Sequence, residues 1–530
     1  MTDLPVLLVL LPLVGAVVAA LAPARRTVAI TVAVAQLGLA VTAAVTVLRD
    51  GPVDTAPGGW DPPLGIALRL DGLAAGVGLL VGVVVLAVFV HAAITPSAAG
   101  SRSYWSLALV TVAGLQAVLV AADLFTVYVA LELMTVGAVA LVALGGQKAL
   151  APALRYLLVA VLGSFAFLVA VALVYAQTGV LTLDIAAADL PQGAALATTL
   201  ALVTVGLGIK TALFPLHAWL PGAHAAAPTA VSPLLSALVV KGAFVVLLRV
   251  WAALGGDAGL ATVVGVLATA AVVWGGVAAL RQTHLKRLVA YSTVAQVGYF
   301  FLLVPLATAG LAAGASAAEV EVARLAWQGA ILMLLSHGLA KAAMFLTAGT
   351  LSAAVGSGEV DGLRGIAAKA PTTVLTFAVA GVCLAGLPPS LAFVGKWQLM
   401  DAALTTGAWW VVVTLLVGGL LTAAATARVV MVTMRPADEE DEVASEPAAS
   451  AGRTATSAPA ASATATATGP AASEVVVSEP STTEPAPGAG RAVGAWETWP
   501  AIVLTIVAVA TGVGSAWLAE LVTVGSVVAP

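Results

Sequence analysis

Charge is scarce in this chain. Only 9% of its 530 residues are Asp, Glu, Lys or Arg, against roughly 25% in an average soluble domain. That scarcity excludes a soluble globular core, and a hydrophobic content of 61% puts the chain in the polytopic membrane class. Cysteine is almost absent too. The single Cys383 cannot close an internal disulfide, and without CxxC spacing there is no thiolate site for an iron–sulfur cluster or a structural zinc. The five histidines form no HExxH or tight ligand cluster, so no metal site is expected. No GxGxxG opens a helix and no Walker-type loop occurs, which argues against nucleotide as a fuel. The chain is therefore expected to carry no cofactor of its own, and no nucleic-acid partner is expected. The net charge of −4 says little, because much of the acid lies in one segment after Arg435.

Long apolar runs are what the sequence has in abundance. Crossing a bilayer takes a run of ~17–25 residues, and such runs lie near 4–22, 27–48, 71–94, 103–121, 123–145, 151–177, 195–219, 230–254, 258–280, 287–308, 323–351, 371–400, 406–433 and 500–524. The first has no basic stretch ahead of it and is read as a true span rather than a signal peptide. Of the 22 Lys and Arg, twelve fall on one set of alternate loops and only Arg49, Arg69, Arg249 and Arg324 on the other. The positive-inside rule makes the rich side cytoplasmic and puts both termini outside. Residues 436–495 turn to Ala, Ser, Thr, Pro and Glu and read as a disordered cytoplasmic linker, with a partner-binding tail as the alternative. Trp496 and Trp499 then stand where an interfacial aromatic belt belongs.

The expected fold is an all-α polytopic membrane protein of about fourteen transmembrane helices. The seventh is broken at Pro215 and the twelfth at Pro388 and Pro389, since proline removes a backbone bond and clashes with the preceding turn. Matching breaks five helices apart point to paired repeats. Each repeat has an odd number of spans, so the two are inverted. The expected divisions are three N-terminal helices in 1–102, repeats in 103–254 and 258–435, the linker 436–495, and a last helix in 496–530.

Ionisable groups inside these runs are costly, ~2.5–3.5 kcal/mol each at the centre of a span, and so mark pathways or counter-ions. They are Glu132, Lys210, Lys241, His337, Lys341 and Lys396. Lys210 and Lys241 flank a segment carrying Pro215, Pro221, Pro228 and Pro233, and a broken helix at membrane depth is tolerated only where it faces protein or water. Glu132 reads as a switchable partner of Lys210 or as a structural ion pair. For Lys241 and Lys396 the alternative is snorkelling to the interface. His337 and Lys341, at i and i+4, share one helix face, and histidine suits a proton relay; a packing histidine is the bland reading. His217 and His224 flank the first break as a candidate proton entrance or as interfacial loop residues. Asp123 is a helix cap first and an exit second. Ser236, Ser292, Gln296, Tyr299 and Ser336 are candidate polar linings or ordinary interhelical bonds.

The strings DLFTVYVALELMTVGA, IKTALFPLHAWLPGAHAAAPTAVSPLLSALVVKGAFVVLLR, LKRLVAYSTVAQVGY, SHGLAKAAMFLTAGT and LAGLPPSLAFVGKW carry a family likeness. They resemble the antiporter-like proton-channel subunits shared by respiratory NADH:quinone oxidoreductase, membrane hydrogenases and Mrp-type cation/proton antiporters, with the D-type component of the Mrp antiporters the nearest likeness. The resemblance implies that Glu132, Lys210, Lys241, the His337/Lys341 pair and Lys396 are the family's pathway residues, on a fourteen-helix core with inverted repeats. It implies proton translocation in a multisubunit monovalent cation (Na⁺)/proton antiporter of the cell membrane, with other membrane subunits as partners. The alternative is a proton-pumping subunit of an NADH:quinone oxidoreductase or membrane hydrogenase. Either way the chain is a transporter subunit without its own redox site. Two departures stand out: His284 occupies the place of an acid before LKR, and the linker before the last helix is unusually long.

Overall fold

Aspartate and serine mark where many of the helices begin. Asp71, Asp123 and Asp257 accept the amides of Ala74, Thr126 and Leu260 at 2.7–2.8 Å, and Ser390 accepts that of Phe393 at 3.2 Å. Ser316 and Glu319 close a reciprocal capping box. Each such bond satisfies a donor that the first helical turn leaves free, which matters most where no water is at hand. The structure is a computed structural model that describes residues 3–95, 99, 101–191, 193–436, 493–526 and 528. Most of the predicted linker lies outside the described residues.

Between these caps run α1 (Leu4–Leu21), α2 (Arg25–Asp50), α3 (Gly72–Ile94), α4 (Tyr104–Val120), α5 (Leu124–Ala143), α6 (Gln147–Thr178) and α7 (Ala194–Thr211). Then come α8 (Ser232–Leu254), α9 (Ala258–Leu280), α10 (Leu285–Leu311) and α11 (Ala317–Val355). The series closes with α12 (Pro371–Ala385), α13 (Leu391–Thr405), α14 (Trp409–Met434) and α15 (Ala495–Val513). Among the described residues twelve helices are long and apolar enough to cross a membrane, and α4 and α12 are shorter apolar helices. The stretch predicted as one helix over 371–400 is two, α12 and α13, separated at Pro388 and Pro389. One small departure from an all-helical fold is an antiparallel hairpin, β1 (Val53–Thr55) with β2 (Leu68–Leu70), bridged from Leu68 to Ala121.

α11 is the axis of the fold. Its most apolar 18-residue window is wholly buried, and at 1.5 Å per residue its 39 residues reach ~58 Å, well beyond a ~30 Å hydrocarbon core. It packs on α10, α12, α13 and α15. The outer helices behave differently. α1, α2 and α6 turn leucine and valine outward, as at Leu21, Val34, Leu158 and Leu162, which suits lipid or neighbouring membrane helices and would be costly in water.

Glycines set several close helix crossings that recur five spans apart. A Cβ on Gly114 would lie 2.5 Å from the amide nitrogen of Met134 in the α4–α5 crossing, and one on Gly275 would lie 2.5 Å from that of Ala295 in α9–α10. In α6–α7 a Cβ on Gly206 would meet the Gly163 carbonyl oxygen at 2.6 Å, and in α11–α13 a Cβ on Gly395 would meet that of Gly329 at 2.5 Å. Small residues that let backbones touch are the usual device of membrane helix packing. Here they bring backbone against backbone one turn from Lys210 and next to Lys396.

Candidate functional site

α7 ends one residue after Lys210, where Ala212 takes a left-handed φ of 61°. The chain then turns through Pro215 to a short helix, Leu220–Ala226, before α8 begins. Two of the carbonyls freed by this break are satisfied within the protein: Trp219 Nε1 donates to Ile209 at 2.9 Å and the Leu213 amide to Gly208 at 2.9 Å. Lys210 is thus left to side chains of α5. Its ammonium donates to Glu132 Oε1 at 3.1 Å and to Thr135 Oγ1 at 3.0 Å, and Ser164 of α6 also donates to the same carboxylate oxygen. Sequence reasoning missed Thr135 and Ser164, because isolated hydroxyls on apolar helices carry no period that singles them out.

Glu132 does not belong to the wholly buried groups: its side chain is 27% exposed against 4% for Lys210. It emerges on a face of α5 that also carries the exposed Val129, Leu133 and Val136. The physical reason is geometric, since α5 presents Thr135 inward and a residue three positions earlier lies on the flank of that face.

Lys241 and Lys341 are enclosed completely, which sets aside snorkelling for Lys241. The entry turn of α8 explains Lys241. Residues Leu235–Val239 form a π-turn, a feature often found at functional positions and not foreseen from the sequence. The Val240 amide bonds to Leu235, one residue further back than in an α-turn. The Ser236 carbonyl so loses its usual partner and accepts Lys241 Nζ at 2.5 Å. The same ammonium lies 2.6 Å from His337 Nδ1 on α11. One turn along α11, Lys341 donates to Ser292 Oγ at 2.5 Å and to the Val289 carbonyl at 2.7 Å, both on α10.

Lys396 is buried as well, so it does not snorkel. It reaches back across the second break to donate to the Ala385 carbonyl at 2.6 Å, the last residue of α12. Gly386, with φ 73°, makes that turn possible, since a left-handed backbone is cheap only for glycine. α10 connects the two regions along one face. Ser292 holds Lys341, Gln296 donates to the Leu384 carbonyl at 3.0 Å, and the Tyr299 ring lies under Lys396. Ser236 bonds Thr293 of α10 at 3.0 Å, while the Ser336 hydroxyl is buried without a partner among the described residues.

The flanking residues divide. His224 is fully buried, stacks on Phe345 with centroids 5.0 Å apart, and has no hydrogen-bond partner at either ring nitrogen among the described residues. His217 stacks on Phe214 at 5.5 Å and meets Tyr291 edge-on. Asp123 caps α5 through Oδ1, while its Oδ2 is buried without a partner among the described residues beside a small cavity that Arg249 also lines. Glu359 lies opposite His284 across an isolated backbone bridge. Among the described residues no group of three metal-ligating side chains converges. His91, which the sequence did not single out, ties α3 to α15 through the Glu497 carbonyl at 3.0 Å.

A family model described as NADH:quinone oxidoreductase/Mrp antiporter, TM, matches residues 121–422. The chain belongs to this family. It is 38% identical to an NADH-quinone oxidoreductase N-subunit of Desulforudis audaxviator over 77% of the chain and 81% of that protein. It is 29% identical to a Na(+)/H(+) antiporter D-subunit of Bacillus subtilis over 68% of the chain and 72% of that protein. In three dimensions it is similar to a chain of the Mrp complex from Dietzia sp. DQ12-45-1b, with a TM-score of 0.82 and 25% identity over 100% of this chain and 97% of that one. The matched segment of the NADH:quinone oxidoreductase/Mrp antiporter family contains all of Glu132, Lys210, Lys241, His337, Lys341 and Lys396.

Proposed function

We propose that this chain moves protons across the cell membrane as one subunit of a multisubunit monovalent cation (Na⁺)/proton antiporter. The observation that carries the reading is the line of four buried lysines. Each sits at a helix break, a π-turn or a histidine, and each is held by an acceptor that a proton-carrying ammonium needs. A neutral residue would be cheaper at every one of these positions. In this reading Glu132 and Lys210 form a switchable pair, because a nearby carboxylate favours the charged lysine and its withdrawal unloads it. Lys241, His337 and Lys341 relay the proton through the middle, and Lys396 serves the far end. His217 and His224 form the entrance and Asp123 lies at an exit. The unpartnered atoms of His224, His337 and Ser336 call for bridging waters, as buried polar atoms usually do.

The recurring glycine crossings support two five-span repeats, over 103–254 and 258–435, with inverted topology. The Lys/Arg distribution supports a cytoplasmic linker at 436–495 and external termini, with the last helix in 496–530. A partly exposed carboxylate on an apolar membrane face is costly, so Glu132 supports a neighbouring membrane subunit seated against α5. Without a redox centre or nucleotide loop, the ~2.3 kcal/mol for moving one charge against 100 mV comes from an ion gradient or from a partner. The 38% identity to an N-subunit favours a second reading, a proton-pumping subunit of an NADH:quinone oxidoreductase. Reconstituting the purified complex in vesicles separates the two. Sodium-dependent proton flux with no electron donor supports the antiporter; flux that appears only with an electron donor and co-purifying redox subunits supports the second reading.

A further inference from the structure

Among the described residues, Lys396 is the one lysine of the line whose ammonium has no side-chain hydrogen-bond acceptor. Lys210 has Glu132 and Thr135, Lys241 has His337, and Lys341 has Ser292. Lys396 has the Ala385 carbonyl at 2.6 Å and, 4.8 Å from its nitrogen, the centroid of the Tyr299 ring. Tyr299 is fully buried on α10. Its hydroxyl faces Thr422 without completing a hydrogen bond there. The space around the two is carved by glycine. A Cβ on Gly386 would come within 2.7 Å of Lys396 Cδ, one on Gly419 within 2.9 Å of Nζ, and one on Gly418 within 2.2 Å of the Tyr299 hydroxyl oxygen. Any side chain at these three positions would push the lysine off the ring or the ring off the lysine.

We propose that Tyr299 is a positioning residue for proton transfer, its ring face serving as the counter-group that holds the charged form of Lys396. This rests on reading Lys396 as part of the pathway. A ring face attracts an ammonium through its quadrupole and has no comparable hold on a neutral amine. Among the described residues no hydrogen bond or ion pair joins Lys396 to a charged side chain. Cys383 on α12 is buried, Asp401 on α13 itself is exposed, and His337 and Lys341 of α11 are engaged with Lys241 and Ser292. The two halves of the chain thus stabilise their broken-helix lysines differently. Glu132 can be protonated and so switched off, whereas a ring face cannot. Lys396 therefore gives up its proton only when its surroundings push it out.

The test compares Tyr299→Phe, Tyr299→Leu and Tyr299→Met with wild type and Lys396→Ala in the complete reconstituted complex, with proton flux read as a function of pH. Tyr299→Phe keeps the ring and should keep the wild-type midpoint. Tyr299→Leu should move the midpoint about one unit toward acid, the size of a desolvated ring–ammonium contact. Tyr299→Met, which retains bulk without a ring, should do the same and guards against a misfolded leucine variant. A ringless variant whose profile superposes on wild type overturns the proposal, as does a Tyr299→Phe profile displaced as far as that of Tyr299→Leu. Wild-type flux in Lys396→Ala would instead remove Lys396 from the pathway and take this proposal with it.

Discussion

Replacing Glu132 by glutamine keeps the shape of the first pair and removes its charge. At the observed 3.1 Å, two unit charges attract by about 5 kcal/mol with the effective dielectric of ~20 that suits protein sites. Glu132 is a quarter exposed while Lys210 is enclosed, so polar groups reaching that exposed part screen some of the attraction. The glutamine carbonyl also still accepts a hydrogen bond, returning ~1 kcal/mol. A net loss of roughly 3 kcal/mol remains, on the order of a 100-fold bias against the loaded lysine. The expected outcome is a fall in proton-coupled flux of about that factor in reconstituted vesicles, with normal insertion and yield. Lys210→Ala should be at least as severe, and adding Glu132→Gln to it should cost nothing further, because the two act as one unit. Flux near wild type in correctly inserted Glu132→Gln protein would refute the argument.

Ser292→Ala removes one of two acceptors from Lys341 and should reduce flux by roughly 10-fold or more, the weight of a hydrogen bond to a charged group; unchanged flux would show that the Val289 carbonyl suffices. Gly386→Ala should lower the melting temperature and cut flux together, since a left-handed alanine costs ~1–2 kcal/mol and its methyl would meet Lys396 Cδ at 2.7 Å. His284, in the loop before α10, titrates below its usual range through burial, is drawn back up by Glu359 and pushed down by Arg287 and Lys286. A histidine of lowered pKa takes its proton later in the folded chain than in the unfolded one, so the stability it supports is present above about pH 6.5 and lost as pH falls below it. Glu359→Gln should therefore steepen the fall of melting temperature between about pH 7 and 5.5, and His284→Asn should flatten it; equal slopes in all three proteins would rule this out.

Much of this architecture is legible in the chain itself, because a bilayer leaves few options. Runs such as 71–94 and 258–280 are long, apolar and capped by aspartate, and they become α3 and α9 within a residue or two. The prolines at 215, 388 and 389 mark both interruptions, and the lysines stand out because their cost in hydrocarbon is large. What the sequence hides is whatever depends on a neighbour. Thr135 and Ser164 look like any other hydroxyls on apolar helices until packing brings them to Lys210 and Glu132. The Ala385 carbonyl has no signature, since any residue could supply it. The exposed flank of Glu132 depends on the rotation of α5 about its own axis, which an evenly apolar helix does not encode. Hairpin β1–β2 is three residues on each side, too short for an alternating pattern to announce it.

The π-turn at Leu235–Val239 acts on α8 as a change of phase. An α-helix advances by about 100° per residue, and one extra residue in a single turn offsets everything beyond it by that angle. Ser232 and Pro233 on one side and the apolar residues from Phe244 onward on the other therefore belong to two angular frames, joined by the turn just before Lys241. Excising one residue from the turn would bring the frames into register and swing the Lys241 side chain about a quarter of a circle from His337, with no change in its chemistry. The spacing of ionisable residues along α8 is thus a property of chain length as well as of residue type, and single-residue insertions and deletions there carry the weight usually given to substitutions.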